Sequence, residues 1–147
     1  MKKKLLVTTI VGTIAYLLFG WFIFEFMLGS YTARHTTQLI GFKKTNEQSG
    51  LTFLVISCLA YSTLLSFILV YLLDIKKLLR GFMIGSTIGV LVAIMADSYW
   101  LATSNFYSNS LVVILDITAA GLTVGFLGLV VALTNKKLNG ITKVIKS

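Results

Sequence analysis

One cysteine, one histidine, five acidic residues and no proline are spread over 147 residues. Cys58 stands alone inside an apolar run, which excludes an intrachain disulfide and any metal site built on paired cysteines. It reads as a small packing residue. A single histidine is a thin ligand set for zinc, although a hard, oxygen-liking cation would accept carboxylates. No Walker loop, GxSxG, HExxH or CxxC occurs, and the serines and threonines have no adjacent base. Any catalysis would have to come from the carboxylates. No cofactor is expected, and no metal is assigned.

Polar residues are scarce as well. Hydrophobic residues make up 56% of the chain and the mean hydropathy is +0.90, too apolar for a soluble domain that must cover its core. Buried helices of a soluble bundle would show polar residues every three or four positions, and these do not. The apolar residues fall instead into four blocks, at about 5–29, 51–73, 82–103 and 111–133. Each is about 20 residues or more, enough to cross a hydrocarbon core of roughly 30 Å. The predicted fold class is all-α, a four-helix transmembrane bundle forming a single domain, 1–147. An outer loop occupies 30–50 and a cytoplasmic tail 134–147. "MKKK" resembles the start of a signal peptide, but the apolar run after it exceeds the usual 7–15 residues and has no clear cleavage site. The first block is therefore expected to be a retained anchor.

The net charge of +8 is not spread evenly. Lys2, Lys3, Lys4, Lys76, Lys77, Arg80, Lys136, Lys137, Lys143 and Lys146 fall on one side of the four spans; Arg34, Lys43 and Lys44 fall on the other. The positive-inside rule places both termini and the middle loop in the cytoplasm. The charge sets topology and attracts anionic lipid; it does not form a nucleic-acid surface. The lipid bilayer is the expected partner.

The outer loop carries Leu39, Ile40 and Phe42, enough apolar character for a short interfacial helix. The middle loop "DIKKLLRG" is a tight connection that predicts spans two and three as antiparallel neighbours. Ser57, Ser62, Thr63 and Ser66, with Tyr61 near mid-depth, suit close helix contact in span two. Span three repeats small residues at four-residue steps: Gly81, Gly85, Gly89 and Ala93. Span four has Gly121, Gly125 and Gly128. These glycine-rich faces are expected to pack helices, and a homo-oligomer through them is one way to use them.

Three carboxylates interrupt the apolar runs. Counted from the span ends, Glu25, Asp97 and Asp116 fall at similar depth in the outer third of the bilayer. A charge at the centre of a membrane helix costs about 2.5–3.5 kcal/mol, less near the interface, so the three are expected to converge away from lipid. Ser86, Val90, Ala93, Asp97 and Ser104 suggest a polar seam on span three. On span four the glycine stripe is nearly opposite Asp116, which would then face a different neighbour from the glycines. Arg34, His35 and the hydroxyls of Tyr99 and Tyr107 are the candidate partners of the cluster.

The leading reading is a non-enzymatic membrane protein of structural or accessory type with a buried carboxylate cluster near its outer face. The alternatives are a small transporter or channel subunit with a cation or proton site there, and an intramembrane metal-dependent hydrolase.

At "IVGTIAYLLFGWFIFEFML", "GFMIGSTIGVLVAIMADSYWLATSNFYS" and "LVVILDITAAGLTVGFLGLVVALTNKK" the chain resembles a group of small four-span bacterial membrane proteins of unknown function. The likeness is a glycine–aromatic end to span one, an aspartate–aromatic end to span three, and an aspartate before a glycine-rich span four. It implies a multi-pass protein of the bacterial cytoplasmic (inner) membrane and assigns no catalytic residue.

Overall fold

The computed structural model describes residues 2–36 and 50–144, with side chains described over 3–36 and 50–140. The expected interfacial helix at Leu39, Ile40 and Phe42 lies outside the described residues, with Lys43, Lys44 and Glu47. So do the side chains of Lys2, Lys143 and Lys146.

Helix α1, Lys2–Trp21, continues into a π-helical turn, Phe22–Met27, and is followed by α2, Gly29–His35. Helix α3, Leu51–Ser66, also ends in a π-helical turn, Phe67–Leu72. Helices α4, Leu78–Thr103, and α5, Ser110–Val144, complete the described chain. Among the described residues the one strand-like pairing is an antiparallel bridge between Thr36 and Tyr107. Four stretches are long and apolar enough to cross a membrane: Lys3–Met27, Leu51–Leu72, Leu78–Thr103 and Ser110–Gly140. Helix α5 therefore runs on through residues read from sequence as a tail. No helix breaker separates its apolar part from "TNKKLNG".

In hydrocarbon the backbone must satisfy its own polar groups, which favours helices over any open structure. Most of the described threonines fit because they return the hydroxyl to a carbonyl one turn back. Thr13 donates to Thr9, Thr118 to Ile114 and Thr123 to Ala119, at 2.7–2.8 Å. Thr63, expected to bridge helices, instead bonds back to Leu59. Ser62 does cross an interface, donating to the Thr9 carbonyl at 2.8 Å. Large apolar side chains such as Phe53, Leu79 and Met95 are about 70% exposed or more, a surface suited to lipid rather than water.

The helices pack in the order α3, α1, α5, α4, with α5 central. The core joins Leu65, Leu69 and Val70 of the second span to Val124, Leu127, Val131 and Ala132 of α5. Tyr16 of α1 and Tyr61 of α3 stack beside it. The expectation that spans two and three are neighbours is overturned: α3 and α4 are not packed together. Their connection passes beneath α5 instead. Ile75 is buried there, and fully buried Asn135 donates to the Ile75 carbonyl at 3.0 Å and to Asp74 Oδ1 at 3.1 Å. Asp74 makes the bend with φ 43°, a left-handed conformation that Asp tolerates better than most residues.

Among the described residues the most extensive helix–helix contact is between α4 and α5. A Cβ on Gly81 would sit 2.6 Å from the Gly128 carbonyl oxygen, and one on Gly89 2.7 Å from that of Ala120. A Cβ on Gly85 would collide with the Val124 carbonyl. On α5, added Cβ atoms at Gly121, Gly125 and Gly128 would strike Val90, Phe82 and Gly81. Both glycine faces are thus turned towards each other within one chain. A homo-oligomer through them would require α4 and α5 to part.

Candidate functional site

The glycine contact positions the carboxylate. The buried residues of α4 are Gly81, Gly85, Gly89, Ala93 and Asp97, one every four residues. Asp97 is the fifth step of the small-residue stripe, so the helix turns it towards α5. The polar seam expected on this helix is not a common buried face, because Ser86 is half-buried and Ser104 exposed. The glycines of α5 meet α4, while the face that carries Asp116 and, two turns on, Thr123 meets Gly20 of α1, as expected of two different neighbours. Asp116 is half-buried and within electrostatic reach of Asp97.

Asp97 is 3% exposed. Its Oδ1 accepts a 2.7 Å hydrogen bond from the Tyr107 hydroxyl, while buried Oδ2 has no hydrogen-bond partner among the described residues. The loop between α4 and α5 delivers that tyrosine. Ser104 closes α4 by bonding the Trp100 carbonyl through its N–H and its hydroxyl, and the Phe106 N–H donates to Ser104 Oγ. Phe106 packs between Trp100 and Tyr107, with ring centroids 5.6 and 4.9 Å away. Asn109 Oδ1 then caps α5 at the Leu111 N–H. The chain folds back on itself, and the Tyr107 hydroxyl points down to Asp97.

The same loop is fastened to α2. Tyr107 pairs with Thr36, and Ser108 donates from its N–H and its hydroxyl to the His35 carbonyl at 3.0 and 2.7 Å. Burial raises the Tyr107 hydroxyl well above its usual range, and the hydrogen bond to Asp97 and the negative charges of Asp97 and Asp116 raise it further. Tyr107 therefore remains a hydrogen-bond donor at ordinary pH.

The other expected members are placed differently. His35 contributes its backbone to this end; its ring stacks on Tyr31 at 4.3 Å, with Nδ1 3.0 Å from the Tyr31 carbonyl. Arg34 is exposed, and Tyr99 is exposed beside Trp100. Glu25 is exposed on the π-helical turn and forms no hydrogen bond or ion pair among the described residues. The aspartate end thus brings together Asp97, Asp116 and Tyr107. Among the described residues no three His, Cys, Asp or Glu side chains are placed to hold a metal ion.

At the opposite end a polar network escaped notice in the sequence. Lys4 donates to Asn139, Asn139 to Asn135 at 3.2 Å, and Asn135 to the 74–75 bend. The signal was available as two asparagines four residues apart in "NKKLN", one turn of a helix that continues past the apolar block. Set against known families, curated proteins and solved structures, the chain matches no family model, no curated protein and no solved structure.

Proposed function

We propose that the chain is a non-enzymatic, multi-pass protein of the bacterial cytoplasmic membrane, of structural or accessory type. Both termini are cytoplasmic, and Asp97, Asp116 and Tyr107 form a clasp at the outer end. In this reading Tyr107 ties the α4–α5 loop and α2 to the buried Asp97 carboxyl, with Asp116 within electrostatic reach. The observation that carries it is Asp97 itself, buried with one oxygen bonded to Tyr107 and the other without a hydrogen-bond partner among the described residues.

The bare oxygen also supports a second reading, a proton or small-cation site of a transporter or channel subunit. Asp97→Asn separates the two. The amide still accepts from Tyr107, so a clasp keeps its melting temperature in neutral detergent while Asp97→Leu loses several degrees. If Asn proves as damaging as Leu, the clasp is wrong. A folded Asp97→Asn protein that has lost a proton or cation flux shown by the parent in liposomes favours the transport reading.

A further inference from the structure

We propose that the lysine-rich end of the molecule binds the phosphodiester headgroups of anionic phospholipids at a rim assembled from three separate parts of the chain. Lys3 belongs to α1, Lys77 and Arg80 to the start of α4, and Lys136 and Lys137 to α5; all five are exposed. The asparagine network draws these parts together, since Lys4 is bonded to Asn139 and Asn135 to the bend at Asp74 and Ile75.

Folding therefore concentrates positive charge at one end. Asp74 is the one carboxylate among the described residues there, and it is already engaged by Lys76 at 2.5 Å and by Asn135. None of the five exposed cations forms an ion pair among the described residues. An anion that bridges cations from separate parts of the chain binds only the packed arrangement and so stabilises the fold.

The surroundings favour a lipid over a free phosphate or a nucleic acid. The cations sit at the edge of an apolar surface, with Leu6 next to the α1 lysines and Leu72 and Leu79 flanking the connection, all exposed. A diacyl lipid satisfies both at once, its phosphate on the rim and its chains along the leucines. A free anion meets only the charge.

The test uses the full chain in neutral detergent, with phosphatidylglycerol or phosphatidylcholine added as mixed micelles and the melting temperature read for each. Phosphatidylglycerol is expected to raise it by several degrees and phosphatidylcholine to leave it nearly unchanged. Inorganic phosphate at the same concentration should also have little effect. The triple change Lys77→Gln, Lys136→Gln, Lys137→Gln should remove at least half of the rise, while the corresponding three Lys→Arg changes and Arg34→Gln, at the other end, should keep it. Native mass spectrometry supplies a second reading, in which the parent retains phosphatidylglycerol in preference to phosphatidylcholine. Equal effects or equal retention of the two lipids, a full effect from phosphate alone, or an undiminished response of the triple glutamine variant would each overturn the proposal.

Discussion

Tyr107 is the residue on which the outer end turns, because a single hydroxyl links a buried carboxyl to a loop that also holds α2. Replacing it with phenylalanine keeps the ring packing on Phe106 but leaves Asp97 with neither oxygen bonded. Stability should fall by about 1–3 kcal/mol, the usual cost of stranding a buried polar group. The Asp97→Leu, Tyr107→Phe double variant should lose less than the two single losses added together, which a double-mutant cycle of melting curves measures. Asp97 was conspicuous in the sequence as an ionisable group in an apolar run. The Tyr107 hydroxyl was among its candidate partners and is the one that bonds it; choosing it over Tyr99, Arg34 and His35 was harder, because the loop follows no helical period and doubles back through Ser104 and Phe106. Glu25 shows a different limit. Counting residues gives depth along a helix, but the facing direction depends on accumulated rotation, and the π-helical turn at Phe22–Met27 changes that rotation where Glu25 sits. Depth alone suggested convergence with Asp97; the side chain is exposed.

At the scale of elements, the four-residue glycine step of α4 was fully legible, and so was the glycine-rich face of α5. That the two faces meet each other was not, since a stripe announces close approach without naming the partner. The contact makes a sharp comparison. Gly85→Ala places a methyl group against the Val124 carbonyl and 3.2 Å from the Gly128 Cα, both backbone atoms that move only if the helices separate. It should cost about 1–3 kcal/mol, as overpacking does, and Gly89→Leu should cost more. Gly140→Ala meets nothing within 4 Å and should be neutral or gain up to about 1 kcal/mol from helix propensity. Similar unfolding curves for Gly85→Ala and Gly140→Ala would remove the stripe from the account of stability.

The connection between α3 and α4 misled for an instructive reason. Short loops commonly join neighbours, but Asn135 and Ile75 draw this one across the base of α5, so that α4 emerges on the far side. Asp74 in that bend is held below its ordinary carboxyl range, first by its hydrogen bond to Lys76 and then by Asn135, with slight burial opposing. A depressed value in the folded protein means that the contribution is complete above the unfolded value, near 3.8, and fades as pH falls through the folded one. Asp74 is mostly exposed, so solvent screening keeps the effect small. Asp74→Asn should therefore flatten the loss of stability below about pH 4 slightly and change little at neutral pH.

The molecule as a whole has two chemically different ends. The bridge from Thr36 to Tyr107 joins the far end of the first span to the α4–α5 loop, and the Lys4–Asn139 bond joins the start of α1 to the last turns of α5. The four spans therefore alternate in direction, with Asp97 and Asp116 near one end and the lysine rim at the other. An excess of lysine and arginine is retained on the cytoplasmic side during insertion, so the rim should face inward and Tyr107 outward. Two exposed positions report this directly. Ser110→Cys lies at the start of α5 on the aspartate end, and Gly140→Cys near its finish on the lysine end, where nothing crowds an added side chain. Cys58 is buried, so the parent serves as the blank. In intact cells an impermeant maleimide should label Ser110→Cys and leave Gly140→Cys unmodified until the membrane is opened. Labelling in the reverse order would turn the molecule over. It would put Asp97 and Asp116 at the cytoplasmic end and the lysine rim outside, and both functional readings of the aspartate end would have to be rebuilt from the opposite side.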